Sequence, residues 1–509
     1  MQNSLLHIKI VQKLKASLIN YPLVWVLGLA VVLRVLKLYN AYYGTTQELF
    51  RDLNVVYDFL ANGKWPLLGP SASIGEFYFG AIYYYILTPF VYLFSYRPVG
   101  AVVSSTIFSL LSLIVFYKLL RLWFGRKDLA LIGIILAAVS VYDIQNAYYI
   151  SNPNLLPFFV LSFFYALTKI LSQPAHWLWY VVLGLVLGVA TQLHATALVI
   201  LPPVLLIAII WRREFLIKTK IPLTVVAAAV TYVPYIIYES ANHFHNLKRI
   251  IVVGGQQFSL FVSGQSIAAI LNFWQSAFVF NNDFLNLWLD NLTLYLVLVF
   301  LYTLTVLFII VRLRQHREWV DTVFVKIGRE GRLLLALWAI IGTCTFLFFS
   351  LPKQSFYFLV LWPAPLVLLA WFLTWLKTLD RKLFLVLFCA HLIAQMLQVG
   401  YFYSVVRNDF YDQKQFNSLM ETIVADAGNE KFNVINSNLD QNMFIYYNRV
   451  GGYDKLLTRS QAPLLYIVGS KLSDDQVIVE PNPAYHKLLS DFSHGNFTIK
   501  KYDFIALQN

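Results

Sequence analysis

The sequence predicts an α-helical, polytopic membrane protein with a small α/β domain at its C-terminus, outside the membrane. Two features of composition predict this class: 59% of the 509 residues are hydrophobic and only 13% are charged. The third observation is a series of apolar stretches close to the roughly 20 residues that span a bilayer. The net charge of +13 comes mostly from short loops between these stretches, where Lys and Arg set orientation and meet anionic headgroups. We therefore expect membrane lipids, and no nucleic acid, as partners.

The apolar stretches predict about eleven transmembrane helices. With the N-terminus in the cytoplasm and the C-terminus outside, this number puts every basic loop on the cytoplasmic face of the cell membrane. It requires that the stretch 77–94, which contains Gly80 and Pro89, forms a helix in the outer interface without spanning. The predicted spans are 21–38, 99–120, 129–142, 153–171, 177–191, 195–211, 221–238, 292–311, 333–351, 356–376 and 383–403.

Composition divides the chain into two predicted domains. Residues 1–404 form the membrane domain, with residues 40–98 as its first outer loop, and the more polar residues 405–509 form an extracytoplasmic α/β domain of ordinary size. Its predicted elements are a helix at 413–425 and strands at 432–435, 464–468 and 498–507.

A second long outer loop, residues 240–289, is expected to contain a turn at Gly254-Gly255 and a surface helix near 267–280. The cysteines Cys344 and Cys389 both fall inside apolar stretches. Their positions therefore indicate neither a disulfide nor a metal site.

The first outer loop contains the strongest candidates for chemistry. Apolar residues recur there at spacings of three and four, which predicts an amphipathic helix over residues 46–60 that ends at Asn62-Gly63. Glu48 and Asp52 lie four residues apart, so the helix stacks two carboxylates on one face with Arg51 beside them. A solvated helix face and a functional acid pair both explain this arrangement.

Isolated polar residues are also expected near the outer face. Arg34 lies about one turn below the end of the first span, where an unpaired charge is costly, although snorkelling is an alternative explanation. Lys353 lies in a very short loop on the non-basic side and could meet a phosphate. Gln192 and His194 interrupt a long apolar stretch, and either a sugar contact or a tight helix hairpin explains them. The same two explanations apply to the helix start at Asn152-Pro153-Asn154.

A pair of carboxylates on the outer face, with isolated cations at headgroup depth, suits a carboxylate general base that acts on a lipid-borne phosphate ester. The sequence contains no nucleophile triad, metal-ligand spacing or phosphate-cradling glycine loop. Two other classes stay open: a lipid-linked sugar flippase or other transporter, and a non-catalytic scaffold in cell-envelope polysaccharide assembly. A transporter should place paired polar groups near the bilayer midplane on broken helices.

Several short words in fixed order resemble the GT-C class of membrane glycosyltransferases, specifically the protein O-mannosyltransferase and aminoarabinose-transferase family and its bacterial relatives (glycosyltransferase family 39-like). The words are Asn62-Gly63-Lys64-Trp65-Pro66, Arg121-Leu122-Trp123-Phe124-Gly125-Arg126, Asn152-Pro153-Asn154, Gln192-Leu193-His194, and Lys353 followed by Tyr357 and Pro363. The resemblance covers roughly residues 21–403. It implies a GT-C-like fold and an inverting transfer from a polyprenyl-phosphate sugar to an acceptor hydroxyl on the outer face.

The resemblance also implies roles for the candidate residues. Either carboxylate of the first loop is the catalytic base, three cations hold the donor phosphate, and five polar residues contact substrate. These residues are, in that order, Glu48 and Asp52; Lys353, Arg34 and Arg51; and Gln192, His194, Asn152, Asn154 and Tyr357.

The first loop departs from the family pattern at two places. Gln47-Glu48 replaces the adjacent Asp-Glu pair, and the Pro-Pro word expected before the surface helix is missing. The identity of the base, the acceptor, and a divalent cation held by Glu48 and Asp52 therefore stay open.

Overall fold

The structure is a computed structural model that describes residues 21–36, 38, 47–73, 76–172, 176–211, 220–259, 262–278, 328–348, 355–405, 413–430, 432–436, 441–452, 464–470, 486–494 and 497–504. The chain divides into two compact units. The first unit comprises residues 1–38, 66–85 and 103–405, and the second comprises residues 39–65, 86–102 and 406–509. The second unit therefore includes most of the predicted first outer loop together with the C-terminal region.

The described residues up to 405 are mainly helical. The helices are α1 (Pro22–Val35), α2 (Gln47–Asn62), α3 (Ile82–Leu93), α4 (Val99–Phe124), α5 (Lys127–Val139), α6 (Val141–Tyr148), α7 (Leu156–Ser172), α8 (Trp177–Leu193), α9 (Ala195–Trp211), α10 (Ile221–Thr231), α11 (Val233–Ala241), α12 (His245–Gln257), α13 (Gly264–Phe278), α14 (Arg329–Phe348), α15 (Pro363–Leu379) and α16 (Arg381–Val405). Two 3₁₀ helices, Asn152–Leu155 and Ser355–Val360, precede α7 and α15.

Among the described residues, four helical segments are long and apolar enough to cross a membrane, and the number is six if each of two bent pairs is one span. The four are Val99–Phe124, Asn152–Ser172, Arg329–Phe348 and Arg381–Ser404. Five other apolar helices are shorter, at 10–17 residues. The total of eleven spans stays a prediction, and the span predicted at 292–311 lies outside the described residues.

Two stretches predicted as single helical spans are bent in the structure. The angle is 52° between α5 and α6 and 66° between α10 and α11. The first bend lies at Ser140, whose side chain accepts a hydrogen bond from the Asp143 backbone and so starts a new helix. The second bend precedes Pro234, which is in the first turn of α11 and cannot donate a backbone hydrogen bond to the preceding turn.

Two local predictions are wrong. The stretch 77–94 is not one helix, because Tyr78–Gly80 (β2) pairs antiparallel with Leu68–Ser71 (β1) and only the 12 residues of α3 are helical. Gly254 and Gly255 do not form a turn but lie inside α12. Val253 packs there with Phe77 and Phe79, and such tertiary packing outweighs the helix penalty of glycine, about 1 kcal/mol.

The second unit contains a four-stranded mixed sheet. Its strands are β3 (Phe432–Asn436), β4 (Leu464–Ser470), β5 (His486–His494) and β6 (Phe497–Phe504), in the order β3-β4-β6-β5. The β3–β4 pair is parallel and the other two pairs are antiparallel. Helices α17 (Gln413–Ala427) and α18 (Gln441–Gly451) accompany the sheet. Three strands and α17 lie where the sequence predicts them, whereas the polar β5 has no such pattern.

Candidate functional site

Helix α2, in the second unit, carries the two candidate acids. It confirms the predicted amphipathic helix, since its apolar residues Leu49, Leu53 and Val56 are fully buried. Gly63 follows with a φ of 64°, the left-handed conformation that commonly ends a helix. The carboxylates at positions 48 and 52 therefore project from a helix whose orientation is fixed by packing of its apolar face.

The two carboxylates have different surroundings. Asp52 is only 1% exposed, and its Oδ1 accepts a hydrogen bond of 2.9 Å from Nε of Arg51. Glu48, one turn earlier, is half-buried. The Arg51 guanidinium thus offsets the charge of one acid directly, so the two acids can perform different tasks.

The described residues contain no group of three or more His, Cys, Asp or Glu side chains placed to hold a metal ion. Glu48 and Asp52 supply two carboxylates, and one of them already pairs with Arg51. A cation held by this pair stays an open expectation from the sequence, and no chemical step is assigned to it.

Arg34, in the first unit, is fully buried on α1. Its guanidinium donates to Oγ of Ser109 at 2.9 Å and to the backbone oxygens of Ala138 and Ala137 at 2.9 and 3.2 Å. Those two carbonyls belong to the last turn of α5, where backbone acceptors lose their helical partners. Arg34 therefore supports the bend between α5 and α6, and its predicted contact with a donor phosphate stays a prediction.

Asp143 is a residue that the sequence analysis missed. It interacts electrostatically with Arg34, and its Oδ2 accepts a hydrogen bond of 2.8 Å from the indole of Trp362. The local signal was the Ser-x-x-Asp spacing from Ser140, which is typical of a helix start. No local pattern could pair this carboxylate with an arginine more than a hundred residues earlier.

Four of the predicted substrate residues come together in the first unit, where the break between α8 and α9 lies beside both 3₁₀ helices and β2. The His194 ring is 4.7 Å from the ring of Tyr357 in an edge-on contact and 6.1 Å from Phe79 in a stacked one. Asn152 donates its amide to the backbone oxygen of Leu193. These contacts bring both 3₁₀ helices to the break between α8 and α9, where Gln192 also lies.

His194 and Gln192 are both buried and fixed by neighbouring groups. His194 Nδ1 lies 3.3 Å from the Thr196 backbone nitrogen, which donates to it, so the ring proton of the neutral form is on Nε2. Gln192 Nε2 lies within 3.0 Å of the backbone oxygens of Gly188 and Thr231. Its Oε1 fills the space where a side chain at Gly80 would begin, 1.9 Å from an ideal Cβ.

Asn154 has a structural role in the described contacts. Its amide donates to the backbone oxygen of Asn146 at 2.7 Å, and its oxygen accepts from the Ser151 hydroxyl. These bonds connect the first 3₁₀ helix to α6. The remaining candidate, Lys353, lies outside the described residues.

Comparisons with known proteins agree with this architecture. The sequence model of the family described as dolichyl-phosphate-mannose-protein mannosyltransferase matches residues 81–238. The crystal structure of ArnT from Cupriavidus metallidurans bound to undecaprenyl phosphate matches with a TM-score of 0.60 and 13% identity, covering 94% of this chain and 97% of that chain. The apo form of the same protein matches with a TM-score of 0.58 over the same shares, also at 13% identity. A search of curated proteins finds no match.

The chain therefore has the fold of the ArnT structures. This fold and the match of residues 81–238 to the mannosyltransferase family model confirm the resemblance to GT-C glycosyltransferases of the protein O-mannosyltransferase and ArnT type that the sequence words carry.

Proposed function

We propose that the protein is an inverting glycosyltransferase that moves a sugar from a polyprenyl-phosphate donor to an acceptor hydroxyl on the outer face of the membrane. The observation that carries the proposal is the unequal environment of the two acids on α2. Asp52 is ion-paired with Arg51, whereas Glu48 is half-buried. The similar ArnT structure contains undecaprenyl phosphate, which supports this class of donor.

In the proposed reaction, Glu48 is the general base. Its carboxylate takes the proton of the acceptor hydroxyl while that oxygen attacks the anomeric carbon from the side opposite the phosphate. The bond between the anomeric carbon and the phosphate oxygen breaks, and the polyprenyl phosphate leaves with the electron pair. Proton transfer of this kind contributes about 100- to 10,000-fold to a rate.

The leaving group is already a stable anion, so it requires cations and no acid. We propose that Lys353 supplies the main positive charge and that Arg51, oriented by Asp52, supplies part of it. The predicted contact of Arg34 with the phosphate is the alternative to a structural role, because the guanidinium donates its hydrogen bonds to protein atoms of the first unit. Gln192, His194, Asn152, Asn154 and Tyr357 are proposed to shape the donor side of the site.

One observation favours the transporter alternative. Buried Arg34 and half-buried Asp143 lie beside a bent helix pair, and a transporter should place paired polar groups on broken helices. Their contacts argue against a mobile ion site. Arg34 donates to the carbonyls at the bend, and Asp143 accepts from Trp362. We therefore propose a structural role for this pair and retain the enzyme as the better-supported function.

The test is incubation of the purified protein with a panel of polyprenyl-phosphate sugars and acceptors, with release of free polyprenyl phosphate as the readout. Glu48→Gln should lower turnover about 100- to 10,000-fold and leave donor binding nearly unchanged, because only proton removal is lost. Asp52→Asn should be milder.

Glu76→Gln is a matched control, because Glu76 is an exposed carboxylate of the same outer loop. Normal turnover in both Glu48→Gln and Asp52→Asn would refute an acid-based transfer. A transporter would instead move intact donor between vesicle leaflets without releasing polyprenyl phosphate.

A further inference from the structure

Helix α18, in the C-terminal region, packs against the acid-bearing helix α2 within the second unit. The Phe50 ring of α2 lies 6.0 Å from the ring of Tyr446 and 5.4 Å from that of Tyr447, measured between centroids. Both tyrosines are at most 1% exposed. Because α2 contains about four turns, packing along one face fixes where its other face points.

A polar clasp adds to this packing at the C-terminal half of α2. The Arg449 guanidinium lies 3.7 Å from Oδ1 of Asp58 and 3.3 Å from Oδ1 of Asn54. The backbone oxygen of Arg449 accepts a hydrogen bond of 3.2 Å from the Tyr57 hydroxyl. Positions 54, 57 and 58 lie on one helix face. One residue of α18 therefore contacts three residues of α2 and fixes both its rotation and its position along the axis.

Tyr96 completes the arrangement. Its backbone oxygen accepts a hydrogen bond from the Tyr446 hydroxyl, and its ring lies 5.5 Å from that of Tyr57. The segment that leads into α4 is thus held by the same α18 tyrosine that contacts Phe50. Helix α2 is confined between two parts of the chain that are remote in sequence.

We propose that α18 positions α2 for catalysis and that Arg449 is a positioning residue for the carboxylates of Glu48 and Asp52. This inference rests on the proposed function of those acids. Asn54 follows Asp52 by two residues, so a small rotation of α2 at the clasp turns both carboxylates by the same angle. A shift of about 1 Å in a reacting group can cost up to 100-fold in rate.

The test compares Arg449→Met, which removes the charge and keeps an apolar stem, with Arg449→Lys. Arg449 is 32% exposed, so the substitution should leave the melting temperature nearly unchanged. We expect Arg449→Met to lower kcat about 10- to 100-fold with little change in KM for the donor. Arg449→Lys should recover part of the loss, because the ammonium can still pair with Asp58. Lys487→Met is the control, since Lys487 is exposed on β5 of the same unit.

Hydrogen exchange provides a readout that does not depend on activity. Amides of residues 47–62 should exchange faster in Arg449→Met and at the wild-type rate in the control. Unchanged exchange would overturn the positioning role. A fall in melting temperature that accompanies the fall in kcat would also overturn it, because general unfolding would then explain the lost activity. If the wild-type protein released no polyprenyl phosphate from any donor, the proposed function would fail, while the exchange result would still decide whether α18 holds α2.

Discussion

Replacement of Arg34 by methionine should strongly destabilise the first unit. The substitution removes three hydrogen bonds from the guanidinium to Ser109, Ala137 and Ala138 and the cation that interacts electrostatically with half-buried Asp143. A hydrogen bond from a charged donor is worth about 1.5 to 3 kcal/mol. The three bonds share one guanidinium, so their energies are not independent. We therefore expect a loss of about 3 to 6 kcal/mol, the worth of about two such bonds.

Thermal unfolding of the purified protein in detergent measures this loss. Arg381→Met is the matched control, because Arg381 is an exposed cation at the start of α16 and its removal should change little. The double variant Arg34→Met with Asp143→Asn should recover part of the stability, since the uncompensated carboxylate is also removed. A melting temperature equal to that of the wild type in Arg34→Met would refute the structural role and return Arg34 to the phosphate site.

Two further predictions concern the other elements. Gly80→Ala should destabilise the first unit by about 1 to 3 kcal/mol through overpacking. The new Cβ would lie 1.9 Å from Oε1 of the Gln192 side chain, whose amide nitrogen is hydrogen-bonded. An unchanged melting temperature would show that this side chain moves freely. Hydrogen bonds from the Tyr466 hydroxyl and a lysine of β6 lower the pKa of Asp426. The contribution of Asp426 to stability is therefore present above the unfolded carboxyl pKa of about 3.9. It disappears as the pH falls through the lower pKa of the folded state. Asp426→Asn should therefore reduce the protection of β4 and β6 from hydrogen exchange at pH 7 by less than about 1 kcal/mol. At low pH the substitution should have no effect. An equal effect at both pH values would contradict the ionic explanation.

The elements that the sequence predicts well are those whose signal is local. Helix α2 was predicted at 46–60 and is observed at Gln47–Asn62, because its apolar spacing and its Asn62-Gly63 end lie within the helix itself. The strands β3 and β4 begin where their apolar stretches begin. For α2, β3 and β4, the sequence pattern that predicts the element lies within the element itself.

The elements that the sequence predicts badly depend on remote contacts. The glycines of α12 suggested a turn, yet Asn246 of that helix exchanges hydrogen bonds with the backbone of Tyr78 and so fixes its start. Strand β5 has a polar sequence and is formed by pairing with β6. Neither contact leaves a trace in the local pattern, so tertiary structure overrides propensity at both places.

The candidate site shows the same division between local and remote information. The spacing of Glu48 and Asp52 predicts that both acids share a helix face, and Arg51 is an immediate neighbour that the sequence also names. What separates the two acids is burial: Asp52 lies at the level of the packed face, and Glu48 lies one turn nearer the start of α2. The residues that pack on α2 are remote in sequence: Tyr446 and Tyr447, whose rings contact Phe50, follow it by almost 400 positions. The choice of Glu48 as the base is therefore an inference from packing, and the Glu48→Gln and Asp52→Asn variants test packing and chemistry together.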